Sequence, residues 1–285
     1  MPGIHRHIPD IPCPGPGKYI EVEPGVRIHY EDRGKGDPIV FIPGWTFTTE
    51  VYRNQMDYFS QTHQAIAIDP RSHGRSTVTV DGNNYETHGE DLIKIIETLD
   101  LRNVVLVGWS AGCAALWEYF KREGINRLKG MIFIDLPVKL LSCNPEDWVE
   151  GSLDQISSIY TTYMKSSQGQ QDFIEVYTKD VMLEREPTPE ELRWIVEQSL
   201  KTPYQIASIL FAFILFSNYF DEAKQVDKSS LPALYIIGRY WKDIAVPYMK
   251  RHFPNTKREV LGGHMMFWEY PKQFNEIVDK FLKSL

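Results

Sequence analysis

The sequence predicts an α/β fold, a mostly parallel central sheet with flanking helices and a helical block inserted late in the chain. Two observations carry this. Short strand-like runs at 38–42, 64–68, 103–107 and 128–135, then again at 232–237 and 256–261, alternate with helical patterns. Such alternation implies crossover connections and therefore parallel neighbours. The runs ending at Ile42 and Val107 are also continuously apolar, as strands covered on both faces are.

Taken in order, 1–17 reads as an irregular arm punctuated by Pro and Gly. Alternating runs at 19–22 and 26–30 flank Pro24-Gly25 and read as a hairpin. A turn at 33–37 leads into the first buried strand, which stops at Pro43-Gly44-Trp45-Thr46. Residues 47–59 read as a helix, 64–68 as a strand and 69–76 as a polar loop. Leu92, Ile95, Ile96 and Leu99 share one face of a helix over 87–99. A strand at 103–107, a helix at 113–120 and a strand at 128–135 follow. From 138 to 230 the pattern is helical with no convincing strand, and alternation then resumes through 232–237, 245–252, 256–261 and 271–285. The expected organisation is a core built from 18–137 and 231–285, with 138–230 inserted as a lid.

Composition narrows the function. Over 285 residues the chain is 42% hydrophobic and 24% charged, enough apolar content for a full core. A net charge of -7 without a dense Lys/Arg block argues against nucleic acid as a partner. Three cysteines, Cys13, Cys113 and Cys143, are sparse, odd in number and without metal-ligand spacing, so free thiols are expected and no metal or other cofactor. The N-terminus lacks the apolar core of a signal peptide. The longest apolar run, 206–216, is well short of the about 20 residues of a membrane span. A cytoplasmic protein with no membrane partner is expected.

The chemistry gathers at Gly108-Trp109-Ser110-Ala111-Gly112, between a buried strand and a helix. A serine at such a turn, with glycine two places either side, reads as a nucleophile elbow. The tight turn strains the serine backbone, and side chains at the glycine positions would collide with neighbouring elements. A serine hydroxyl needs a base, and the base needs an orienting acid. His264 follows Gly262-Gly263 directly after the last strand and is the candidate base. His73, in the loop after the 64–68 strand, is expected to hold that loop rather than react. Two acids fit the chain order Ser, acid, His. Asp243, in the loop expected after 232–237, is favoured for its reach, and Asp135, ending the preceding strand, is the alternative. Backbone N–H groups of Ala111 and Trp45 are the candidate oxyanion donors.

These motifs together resemble the α/β-hydrolase fold, and within it the cofactor-independent haloperoxidase-like and serine esterase group. The matching stretches are Pro43-Gly44-Trp45, the loop from Asp69 through Arg71, His73 and Gly74 to Ser76, the elbow, Asp243-Ile244-Ala245-Val246-Pro247, and Gly263-His264. The chain departs from many relatives in carrying Pro43-Gly44 where they carry His-Gly at the oxyanion loop. Ser110 also sets it apart from haloalkane dehalogenases and epoxide hydrolases, which use aspartate there. The resemblance implies a Ser-His-Asp hydrolase of carboxylic esters. Lactones, including acyl-homoserine lactones, are the runner-up substrates. A cofactor-free lyase or perhydrolase, or a receptor on the same scaffold, are alternatives of another class. The lid is rich in Trp, Tyr and Phe, most of them expected to pack helices and a minority to face the pocket, which favours a small apolar ester or lactone as partner. Oligomeric state is not legible in the sequence.

Overall fold

Eight strands form one sheet in the computed structural model, which describes residues 17–285. They are β1 (Lys18–Glu23), β2 (Val26–Gly34), β3 (Pro38–Ile42), β4 (Gln64–Ile68), β5 (Val104–Trp109), β6 (Leu128–Ile134), β7 (Ala233–Ile237) and β8 (Lys257–Val260). The spatial order is β1-β2-β4-β3-β5-β6-β7-β8. β2 pairs antiparallel with β1 and β4, and every later pairing is parallel. The arm expected over 1–17 lies outside the described residues except for Gly17.

The reason for this order lies in the apolar runs. All residues of β3, β5 and β7 are buried, so each needs cover on both faces and neighbours on both edges. β8 at the margin is different: Lys257, Arg258 and Glu259 charge it, and its residues are at most half-buried, which keeps an open edge from pairing with other chains. Helical cover comes from α1 (Arg53–Phe59), α2 (Tyr85–Thr98), α3 (Gly112–Glu123), α9 (Lys242–His252), α10 (Met266–Glu269) and α11 (Pro271–Leu282). α2 starts at Asn84, whose side chain accepts from the Thr87 N–H, and buries Leu92, Ile95 and Ile96. It crosses α3 closely: a Cβ on Gly89 would come within 2.5 Å of the Glu118 Cβ. α11 buries Phe274, Val278 and Phe281.

Between β6 and β7 the chain is helical, with α4 (Leu153–Tyr163), α5 (Ser167–Tyr177), a π-helical turn (Thr178–Met182), α6 (Pro189–Ser199), α7 (Tyr204–Leu215) and α8 (Phe220–Lys228). Side-chain caps mark the starts: Ser152 and Gln155 form a reciprocal capping box on α4, and Thr188 caps α6 ahead of Pro189. α8 packs back on α3, whereas α4, α5, α7 and the π turn stand over the C-terminal end of the strands. No helix among the described residues is long and apolar enough to cross a membrane.

Two local departures from the sequence reading matter. The helix expected over 47–59 begins as a 3-10 turn (Thr49–Tyr52) before α1. The helix expected from 245 starts at Lys242, behind a short 3-10 turn (Arg239–Trp241). The stretch after β7 is therefore tightly wound, not an extended loop.

Candidate active site

Ser110 follows β5 with φ 52°, a left-handed conformation that costs a non-glycine residue energy and is held by its surroundings. Its N–H donates to Ile134 O (2.8 Å), tying the turn to β6. Neighbouring glycines make the turn possible. A Cβ on Gly108 would lie 2.9 Å from the Cys113 backbone, and one on Gly112 2.6 Å from the carbonyl oxygens of Ile42 and Pro43. Across the crevice a Cβ on Gly44 would stand 3.1 Å from the Ser110 Cβ. The Ser110 side chain thus emerges where β3 and β5 end, at the start of α3, whose free N–H groups face anionic charge.

His264 comes in from the loop after β8 and is 2% exposed. Its Nδ1 lies 2.8 Å from Asp135 Oδ2, so Nδ1–H donates to the carboxylate and Nε2 is left with its lone pair. The backbone holds the loop: His264 N–H donates to Val181 O and Met265 N–H to Met182 O (both 2.9 Å), and His264 O accepts from Trp109 Nε1 (2.8 Å). A side chain on Gly263 would strike the Met182 carbonyl.

The acid beside His264 is Asp135, not the favoured Asp243. Asp243 occupies the first turn of α9, exposed to solvent, where a negative charge complements the helix dipole. The 3-10 turn at Arg239–Trp241 takes up the residues that were to give it reach, and sends Tyr240 inward instead. Asp135 follows β6, the strand adjacent to β5, and its φ of 53° turns it across the strand end. Its fully buried carboxylate accepts from three donors: Gly238 N–H at 2.6 Å, Tyr240 Oη–H at 2.6 Å and His264 Nδ1–H. The Tyr240 hydroxyl also lies 3.2 Å from His264 Nδ1. Tyr240 is an exposed residue, but its hydroxyl end is desolvated beside Asp135, which holds the phenol well above its usual range, so it stays a donor.

The Trp45–Thr46 turn, the candidate oxyanion loop, is braced from an unexpected side. His73, buried, donates from Nδ1–H to Arg71 O (2.8 Å) and accepts at Nε2 from the Thr46 N–H (3.1 Å). Desolvation pushes the imidazole down to about 4, so it is neutral, as this pair of contacts demands. The sequence reading confined His73 to its own loop; its second nitrogen holds the Trp45–Thr46 turn, where Thr46 has φ 66°. The helical segment grips the same turn. Trp45 Nε1 donates to Ala207 O (2.7 Å), Thr202 Oγ1 to Thr46 O (3.2 Å), and the Thr46 and Ser199 hydroxyls meet at 2.6 Å. Among the described residues, neither the Trp45 N–H nor the Ala111 N–H donates to a protein acceptor.

Ser110, Trp45, Ala111 and His264 line one cavity of about 420 Å³. Its wall is mainly apolar, with Phe47, Leu140, Ile156, Ile159, Ile214 and Leu215. Of the aromatics between β6 and β7, Tyr163, Phe173, Tyr177 and Phe211 reach it, while Phe213 and Phe216 point outward and Trp148 is fully buried elsewhere. Trp109 is buried and also touches the cavity. Among the described residues Ser110 and His264 share no hydrogen bond; such contacts often tighten only around a bound substrate.

Sequence reasoning missed Tyr240 and Glu150. Glu150 lines the cavity, its carboxyl without a described hydrogen-bond partner, and nothing in the stretch 144–151 distinguishes it from a surface acid. Cys113, next to the elbow, is a free thiol that burial pushes up, so it stays protonated, and Cys143 is free and exposed. Cys13 lies outside the described residues. Among those residues no group of three or more His, Cys, Asp or Glu could hold a metal ion.

Comparison with known proteins identifies the fold. A family model described as the alpha/beta hydrolase fold matches residues 37–271. A non-heme chloroperoxidase, CPO-A1, of Kitasatospora aureofaciens is 37% identical over 128 residues, 44% of this chain and 46% of that relative, so the match spans under half its length. The AB hydrolase superfamily protein YisY of Bacillus subtilis (strain 168) is 24% identical over 94% of this chain and 100% of its own. Among solved structures, a bromoperoxidase from Bacillus anthracis superposes with a TM-score of 0.84 at 21% identity, covering 94% of this chain and 100% of its own. An esterase (EaEST) from Exiguobacterium antarcticum gives 0.81 at 20% identity, over 94% and 99%. The enol-lactonase from Burkholderia xenovorans LB400 gives 0.76 at 18%, over 93% and 100%. The chain belongs to the α/β-hydrolase fold family, and within it resembles the haloperoxidase-like esterase group.

Proposed function

We propose that the protein is a serine hydrolase of carboxylic esters with largely apolar substrates. The observation that carries this is one cavity shared by a serine on a strained strand-end turn and a histidine whose far nitrogen is held by a buried carboxylate. Ser110 Oγ attacks the ester carbonyl carbon while its proton passes to His264 Nε2. Asp135 fixes the tautomer and stabilises the imidazolium. The negative oxygen of the tetrahedral intermediate receives the N–H groups of Trp45 and Ala111. Collapse breaks the carbonyl–alkoxy bond, and His264 returns the proton to the departing alcohol. Water then attacks the acyl-enzyme, giving its proton to His264. Release of the carboxylic acid returns that proton to Ser110. Residues 138–230 act as the cap that shapes the acyl and alcohol subsites.

A lactone passes through the same steps with the leaving alcohol tethered to the acyl group. The test is turnover on parallel panels of p-nitrophenyl esters and lactones, with Ser110→Ala as control. The variant is expected to keep its fold and to lose turnover on the order of a million-fold. Substantial hydrolysis by folded Ser110→Ala protein would rule out the serine mechanism.

A further inference from the structure

The cavity contains one group that ester hydrolysis does not use. Glu150 sits in its wall among Leu140, Ile156 and Tyr177, on the stretch that leads into α4. Its backbone is fixed by the Glu150 N–H bond to Leu140 O (3.1 Å). Its carboxyl, in contrast, has no described hydrogen-bond donor. The residue is only half-buried, and the cavity is the open space on which it borders. Apolar neighbours nevertheless strip the carboxyl of bulk water and push it up to about 7, with His264 pulling it down and Asp135 adding to the rise. A carboxyl desolvated without a partner is costly, and such a cost is tolerated where a ligand supplies the missing hydrogen bond.

The rest of the lining sharpens the choice of ligand. The cavity wall contains a second acid, Asp180, and no lysine or arginine. A substrate carboxylate or phosphate would meet no cationic side chain among the described lining residues and two acids, Glu150 and the solvent-exposed Asp180, whereas a hydroxyl or an ammonium would meet an acceptor.

We propose that Glu150 is a specificity-determining residue that accepts a hydrogen bond from a hydroxyl or ammonium group on the ester substrate, and that it excludes substrates bearing an anionic group. This rests on the serine-hydrolase reading above. It narrows the substrate class from apolar esters in general to esters that are apolar along most of their length and carry one donor at a distance from the scissile carbonyl.

The experiment compares p-nitrophenyl esters of matched acyl chains, four to eight atoms long, ending in methyl, hydroxyl, ammonium or carboxylate. Wild type should show the highest kcat/KM with a hydroxyl or ammonium end at one chain length, and the lowest with carboxylate. Glu150→Leu should lower the donor-to-methyl ratio about tenfold or more, mainly through KM, and raise turnover of the methyl ester. Glu150→Gln keeps an acceptor, so it should retain the hydroxyl preference, lose the ammonium preference and relax the exclusion of carboxylate. Two outcomes would overturn the proposal in folded protein: ratios unchanged in both variants, or kcat falling equally for every chain end. Calorimetric binding of the corresponding alkyl alcohols, amines and carboxylates to Ser110→Ala protein separates the two readings. If that protein still hydrolyses esters, the serine mechanism fails. If it binds all three end groups alike, the Glu150 assignment fails.

Discussion

Two buried His–Asp pairs lie in this molecule, and they differ in what surrounds them. His264 and Asp135 meet at 2.8 Å, His29 and Asp69 at 2.9 Å, and all four side chains are almost fully inaccessible. Asp69 is enclosed by protein: Thr49 N–H (2.7 Å) and Arg75 N–H (2.9 Å) donate to it, and a Cβ on Gly74 would collide with its carboxylate. On the other side of that pair, His29 Nε2 lies 3.4 Å from an Arg75 guanidinium nitrogen. The His264 ring instead borders a cavity that it shares with Ser110. The same two residue types thus clamp a loop in one place and turn an imidazole towards a cavity in the other. What separates them is the second ring nitrogen: closed off by protein, or facing a space that a substrate can enter.

Breaking each pair in the same way gives the largest contrast. Asp135→Asn keeps the shape but supports the wrong tautomer of His264, so kcat is expected to fall about ten-thousand-fold with little change in melting temperature. Asp69→Asn should leave kcat of the folded protein within a few-fold while costing about 3 kcal/mol of stability in urea titration, because it removes a buried charge and puts an NH2 donor in place of one of the two oxygens that accept from His29, Thr49 and Arg75. Asp243→Asn belongs with neither and should stay within about twofold of wild type in turnover. A ten-thousand-fold loss in Asp243→Asn, with Asp135→Asn active, would reverse the assignment.

A third buried histidine, His73, lacks a carboxylate partner and sharpens the contrast by its pH dependence. In the folded state it sits at about 4, against about 6.5 for an unfolded chain. As pH falls from 6.5 towards 4 the unfolded chain takes a proton that the folded one refuses. Stability is therefore full above 6.5 and drops by about 3 kcal/mol across that window. His88, also lowered by burial, acts in the same direction. Urea midpoints at pH 7 and pH 5 should differ markedly in wild type and less in His73→Gln. Among changes at the His264–Asp135 pair the smaller loss is expected from Tyr240→Phe. It removes one of three donors from Asp135, and kcat should fall about tenfold, in keeping with a hydrogen bond to a charged group.

Legibility followed the same division. Strand positions were readable because buried parallel strands must be continuously apolar, and β3 at Pro38–Ile42 and β4 at Gln64–Ile68 fall where the pattern predicts. Ser110 and His264 were readable because their glycine neighbours record steric limits that the structure makes explicit at Gly108, Gly112 and Gly263. The partner acid was not. Chain order allows both candidates, and the choice depends on strand adjacency and on whether 239–242 is extended or wound, neither of which leaves a mark on composition. Glu150 and the second contact of His73 are legible only once distant segments are folded together. Both residues read locally as ordinary polar positions.

The backbone bonds from His264 and Met265 to the carbonyls of Val181 and Met182 have a consequence for how this protein can be altered. In many scaffolds a cap is treated as a replaceable module. Here the 138–230 segment supplies two acceptors to the His264 loop, and further contacts to the Trp45–Thr46 turn through Ala207, Ser199 and Thr202, both parts of the hydrolase site proposed above. Swapping it wholesale for a foreign sequence would change pocket shape and unseat both walls of the catalytic apparatus at once. α4 buries Ile156 alone, fewer residues than α5, α6 or α7 bury, so less packing is disturbed by changes there. Redesign of substrate range is accordingly best confined to the stretch from Leu140 through α4, leaving the carbonyls at 181 and 182 in place.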